Sequence, residues 1–152
     1  MTVVIAASAL LAPLVVITQA SFAGAASQNP SVSSRVIRLV EQADVANFIT
    51  VNSGAPVGNR FVFSSTIFDT QGNRVGHDGG DCATTNPDGT AQCTISVVLP
   101  GGELTFQGLA NGTDNTFAIT GGTGTYRNAQ GEARAVDTQP GRAELTIQLI
   151  GG

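Results

Sequence analysis

Few side chains of this chain are equipped for chemistry, and their spacing excludes most of the familiar kinds. There are eleven Asp or Glu residues, one histidine, His77, and two cysteines, Cys82 and Cys93. A single histidine rules out a multi-histidine metal centre. No Gly-x-Ser-x-Gly elbow is present, and Gly122-Thr123-Gly124 lacks the lysine and helix of a phosphate loop. Asp78 and Asp81 lie beside His77 in a glycine-rich strand; they read as a solvated strand end, the alternative being a weak calcium site without a loop signature. The run Arg60 to Asp69 alternates, with Phe61, Phe63, Ser65, Ile67 and Asp69 on one face. That face fits the lining of a small-molecule pocket and fits an ordinary core equally well, and Asp69 also suits a turn cap.

The elements that would position these residues are short strands. Alternating runs cover 35–42, 60–69, 74–84, 91–99, 103–109, 116–120, 131–136 and 142–150. Turn sequences separate them, among them Thr70-Gln71-Gly72-Asn73, Asn86-Pro87-Asp88-Gly89 and Asn111-Gly112-Thr113-Asp114. Hairpin-length links favour a meander, and eight strands suit an all-β sandwich or an up-and-down barrel. Between Thr120 and Ala133 stand four glycines, the corners a closing sheet needs. Residues 43–58 read either as a short strand or as a loop over one barrel mouth.

The N-terminal stretch from Val3 to Phe22 is almost wholly apolar or small, and Ala23-Gly24-Ala25 follows. That pattern predicts a secretory signal peptide over residues 1–26; the competing reading is an anchoring helix. A polar lead-in over 27–34 and a single domain over 35–152 would follow. Export gives the cysteines a meaning. If Pro87 and Asp88 centre a type I turn, Cys82 faces Cys93 across the hairpin, and a disulfide is geometrically sensible. A bulge at Gly89 would shift the register by one, and two free buried cysteines are the alternative. Asn111-Gly112-Thr113 matches a glycosylation acceptor.

Charge excludes further classes. The net charge is −4, and all seven basic residues are arginines. Nucleic acid needs a basic footprint that this chain lacks. Beyond the N-terminal stretch, no run is long and apolar enough to span a bilayer.

Three blocks, in order, resemble the allene oxide cyclase and dirigent protein barrel superfamily. They are Phe63-Ser64-Ser65-Thr66-Ile67-Phe68-Asp69 with Asn73-Arg74-Val75-Gly76, then Gly101 to Gly108, then Thr120 to Tyr126 with Gly131-Glu132-Ala133. The resemblance implies a lipocalin-like, eight-stranded antiparallel up-and-down barrel, all-β, that self-associates as a trimer or dimer. It implies a small hydrophobic ligand or substrate and no cofactor or metal. Glu41 occupies the place nearest to the cyclases' inward glutamate, and Ser65 that of a polar pocket residue. Cys82 falls on a pocket cysteine of the cyclases, which Cys93 would claim. No counterpart of the cyclase tyrosine stands at Leu109-Ala110-Asn111, which separates the chain from true allene oxide cyclization. Asp69 and Arg127 are placed as the orienting acid and arginine of dirigent proteins. The implied catalytic set is Glu41, Ser65 and Asp69, and the implied ligand contacts are Phe61, Phe63, Phe106 and Arg127.

Three functions are then open. One is a secreted cyclase or isomerase of a hydrophobic specialised metabolite, with a desolvated carboxyl such as Glu41 as acid or base. The second is a dirigent-like or carrier barrel that holds its ligand unchanged. The third is a structural protein with a filled barrel. A cavity of at least about 300 Å³ beside Glu41 or Ser65 separates the first two from the third.

Overall fold

The structure, a computed structural model, describes residues 34–51 and 53–150. The expected export segment, residues 1–26, and the lead-in before Ser34 lie outside the described residues. Eight antiparallel strands run in chain order: β1 Ser34–Ile49, β2 Arg60–Asp69, β3 Arg74–Thr84, β4 Ala91–Leu99, β5 Gly102–Ala110, β6 Asp114–Gly122, β7 Gly131–Gln139 and β8 Arg142–Ile150. Each pairs with its sequence neighbour, and β8 returns to pair with β1, closing the barrel. The meander expected from the hairpin-length links is therefore sealed, and among the described residues the one helical element is a short 3₁₀ turn, Gly124–Tyr126.

Period-two alternation decides what points inward. On β2 the inward set is Phe61, Phe63, Ser65 and Ile67, and on β3 it contains Asp78, Gly80 and Cys82, because Ser65 stands opposite Asp78 and Phe63 opposite Gly80. Register across β3 and β4 pairs Cys82 with Cys93, so the register expected from the Asn86–Gly89 turn holds without a shift and the disulfide forms, with Cα atoms 4.0 Å apart. The ambiguous 43–58 segment resolves into strand and loop. β1 runs on to Ile49, and a bulge between Ala43 and Val45 leaves Asp44 outside, where it accepts a hydrogen bond from Thr66 Oγ1 at 2.9 Å. The extra residue shifts the alternation, which brings Ala46 and Phe48 onto the inner face.

One end of the barrel is packed and the other is open. Leu39, Ile67, Val97, Leu104, Phe106 and Ile147 fill the end from which β1 starts, each at most 6% exposed. The glycine corner closes that end. Gly124 has φ +58, and a Cβ there would lie 2.0 Å from the Gly101 carbonyl oxygen. Only glycine lets the link after β6 lie against the β4–β5 turn. Tyr126, buried, hangs from this link with its hydroxyl on the Pro100 carbonyl at 3.4 Å. Outside, two cross-strand ion pairs, Arg60–Asp81 and Arg134–Asp114, decorate the wall.

Candidate active site

Above the packed end the inward residues become small: Ala43 and Ala46 on β1, Ala91 on β4, Ala110 on β5, Ala135 on β7 and Ala143 on β8. Where alanines replace leucines, side chains no longer meet across the axis. A cavity of about 860 Å³ remains, open at the end carrying the β3–β4, β5–β6 and β7–β8 turns. That lies within the range of small-molecule sites and well above the minimum of about 300 Å³. The filled-barrel expectation is met in one half only.

Glu41 and Ser65 lie at the floor of this space, where packed core gives way to cavity. Ser65 Oγ donates to Glu41 Oε1 at 3.0 Å, and Ser65 itself is 1% exposed. Directly opposite Ser65 on β3 is Asp78, also buried, whose Oδ1 has no hydrogen-bond partner among the described residues. Two carboxyls so close inside an apolar wall cannot both ionise cheaply. Burial is the largest cause and pushes the Asp78 pKa up to about 7, with the Glu41 charge adding to it. Burial likewise raises Glu41, partly offset by the Ser65 and Asp78 hydrogen bonds, while the nearby Asp137 charge raises it further. An oxygen with no donor costs least on a neutral carboxyl, so burial pushes both groups toward their protonated forms, Asp78 the more strongly. The arrangement places two coupled carboxyls, suited to acid–base work, side by side at the end of an apolar slot.

The walls are partly aromatic. Phe61 and Phe63 rise above Ser65 on β2, their rings stacked with centroids 5.6 Å apart. The Phe63 ring lies over Gly80, where a Cβ would come within 2.4 Å of Phe63 Cζ. Phe48 stands at the mouth opposite Phe61, 64% exposed.

The other sequence candidates are placed elsewhere. Asp69 sits in the β2–β3 turn at the packed end, accepting from the Gln71 and Asn73 amides and from the Asn73 side chain at 2.8–2.9 Å. Those hydrogen bonds, the Asn73 side chain first, hold its pKa low, and it serves as the turn cap that its sequence also suited. Phe106 is 1% exposed within the packed half, because its position on β5 falls below the floor. Arg127 follows the 3₁₀ turn, beside a separate shallow cleft with Asn128 and Gln130 at the closed end. Of the implied set, the cavity brings together Glu41, Ser65, Phe61 and Phe63. His77 is on the outer face of β3, exposed, as is Asp81 in its ion pair. Asp78 does not share their surroundings. The expected solvated strand end therefore holds for Asp81 and is corrected for Asp78, which points inward. Its signal was the Cys82–Cys93 register: a residue four before an inward cysteine on the same strand points inward too. Among the described residues no group of acids, histidines and cysteines is arranged to hold a metal ion.

Comparison with known proteins gives this geometry a setting. The family profile described as allene oxide cyclase barrel like domain matches residues 40–149. No curated protein matches the chain. Among solved structures, a pyocyanin demethylase is similar at 30% identity and TM-score 0.69, covering 76% of this chain and 99% of its own. AbnU, an exo-specific intermolecular Diels-Alderase, aligns at 21% identity and TM-score 0.66, over 80% of this chain and 99% of its own. The pterocarpan synthase dirigent protein GePTS1 aligns at 14% identity and TM-score 0.61, over 86% of this chain and 97% of its own.

Proposed function

The chain belongs to the allene oxide cyclase barrel-like family, and from that membership and its own cavity floor we propose that it is a small-molecule enzyme. Its reaction would be an acid–base isomerisation or cyclisation of a hydrophobic specialised metabolite. The observation that carries this reading is the Glu41–Ser65–Asp78 cluster at the floor of an otherwise largely apolar cavity. A carrier needs an apolar slot; it does not need two coupled carboxyls at its floor.

In this mechanism the walls take an extended, flexible molecule out of water and restrict its conformers, a proximity effect. Glu41 in its ionised form, held by the Ser65 hydroxyl, removes a proton from a carbon or heteroatom at the buried tip of the ligand. Asp78, neutral, returns a proton through the shared pair, so the cluster ends as it began. The pyocyanin demethylase, an enzyme by name and the 30% identical relative, supports catalysis over simple carriage. The dirigent-like alternative uses the same cavity without the proton steps.

The test uses N-phenyl-1-naphthylamine, a neutral fluorescent probe, for occupancy and pyocyanin as the first substrate offered. Glu41→Gln should bind the naphthylamine as the parent does and lose turnover. Retained turnover in Glu41→Gln would remove Glu41 from the chemistry, probe binding without turnover in the parent would favour the dirigent-like reading, and failure of the parent to bind the probe would remove both. Export remains part of the proposal, supported by the apolar N-terminal stretch and by the Cys82–Cys93 disulfide. So does self-association; intact mass under native conditions reads both.

A further inference from the structure

β1 outruns the strand that seals it. Its pairing with β8 ends where Gln42 stands opposite Arg142, whereas its pairing with β2 runs on to Ile49 opposite Arg60. The Ala43 amide still reaches the Gly141 carbonyl at 2.9 Å. Beyond it, Val45 to Ile49 are laddered on the β2 side only. This overhang gives the closed barrel a free edge roughly 17 Å long, at about 3.4 Å per residue. Alternation fixes which backbone groups point outward. The Asn59 carbonyl accepts from the Thr84 amide on the β3 side, so Arg60, Val62 and Ser64 turn their groups toward β1. Val45, Asn47 and Ile49, opposite them, are engaged with β2. The N–H and C=O of Ala46 and Phe48 face the free side, where among the described residues no backbone group meets them.

Free edges are ordinarily blunted by a lysine, a proline, a bulge or an inward charge. Val45-Ala46-Asn47-Phe48-Ile49 holds no charge and no proline, its residues are exposed, and the β1 bulge lies before it. The stretch is also complementary to itself. Turned about a two-fold axis through Asn47, it sets Ala46 beside Phe48 of the partner subunit and Val45 beside Ile49 of the partner subunit. Small meets large on the inner face, and two β-branched side chains meet on the outer face. Ala46 and the partner's Phe48 exchange their free N–H and C=O groups, giving about four hydrogen bonds across the axis. Ala46 and Phe48 both line the cavity, so a side chain paired with them on that face reaches its mouth. We propose that a second copy of this chain docks here, β1 against β1, carrying one sheet from barrel to barrel and setting the partner's Phe48 at the mouth of the cavity. The proposal gives the self-association above its surface, and its claim on the cavity rests on the small-molecule reading.

The test is intact mass under native conditions, with substitutions at Asn47 on the outer face. The parent should run as a pair of chains. Asn47→Cys should cross-link that pair in air, because residues facing each other across the axis stand about 4.5 Å apart, within disulfide reach. Val45→Cys, displaced from the axis, should not. Asn47→Lys should leave single chains, since like charges then face each other, and mixing it with Asn47→Asp should restore the pair. Loss of the partner's Phe48 should weaken N-phenyl-1-naphthylamine binding in Asn47→Lys by about threefold or more. Should Asn47→Lys fold poorly, Ala46→Pro removes an outward N–H without touching the β2 ladder and must also separate the chains. Pairs that persist in both variants, or equal cross-linking through Val45→Cys, overturn this pairing and leave self-association standing. Single chains in the parent overturn both. Unchanged probe affinity in the separated chains overturns the shared cavity mouth, whereas a parent pair that binds no probe counts against the small-molecule reading alone.

Discussion

The Ser65 hydroxyl donates to the Glu41 carboxylate at 3.0 Å from a position directly across the ladder from Asp78. That one side chain on β2 links acids on the two strands flanking it. Its hydrogen bond favours the charged forms of both carboxyls, working against burial. Ser65→Ala should therefore raise both pKa values further. The acid limb of any pH–rate profile should move to higher pH, while stability falls by about 1 kcal/mol. An unmoved acid limb would show that the hydroxyl does not tune the pair.

Asp78 makes stability depend on pH in an unusual direction. Its folded pKa, about 7, lies above its ordinary value of 3.8, so the folded state holds the proton more tightly. The contribution is fully present below about pH 4 and is lost as pH rises through 7. Asp78→Asn removes the charge that burial opposes. Thermal unfolding should find the variant more stable than the parent at pH 8, and the advantage should vanish by pH 4. An Asn variant less stable than its parent at pH 8 would contradict the neutral, buried acid.

Gly80 holds the aromatic wall in place by having no side chain. A methyl group there would meet the Phe63 ring at 2.4 Å, and the ring can yield only by swinging away from β3. Gly80→Ala should weaken naphthylamine binding by roughly tenfold, with little change in melting temperature, since the ring's escape route is empty cavity. Unchanged binding would place the ligand away from β2.

The closing corner tolerates no such adjustment. Gly131 has φ +134, and a Cβ would lie 1.9 Å from the Gln148 carbonyl oxygen, in the β7–β8 ladder. Gly131→Ala should cost about 3 kcal/mol or more, since strained backbone and a backbone collision coincide. Gly72→Ala, in an open turn with φ +87 and no atom within 4 Å, should cost only about 1–2 kcal/mol. Urea denaturation of the two variants reads the difference.

The disulfide forms part of the cavity wall through Cys82. Replacing both cysteines by alanine should lower stability by about 2–3 kcal/mol through the freed denatured chain. The floor carboxyls are on other positions, so probe affinity should change less than in Gly80→Ala. A larger loss of affinity than of stability would assign the disulfide to the site.

Much of the fold was legible because strands and turns are local. Alternation located Phe61, Phe63 and Ser65 on one face, and the Asn86–Gly89 turn set the cysteine register. What alternation cannot tell is how far along the axis an inward residue sits. Phe106 and Phe63 carry the same pattern, yet one is sealed below the floor and the other lines the cavity. Depth depends on strand stagger around the closed barrel, a property of the whole sheet. The β1 bulge was hidden for a related reason: Asp44 leaves the alternation by one residue, and only pairing with β2 reveals it. Asp78 was misjudged by composition, since glycines around an acid suggest solvent; here Gly80 makes room for a ring instead.

The most direct test of the central claim is a carboxyl-carbon NMR titration of Glu41 and Asp78, with and without N-phenyl-1-naphthylamine. The account predicts an Asp78 midpoint near 7, a Glu41 midpoint above the ordinary carboxylate range, and movement of both signals when the probe enters. Two midpoints near 4, indifferent to a bound probe, would contradict it.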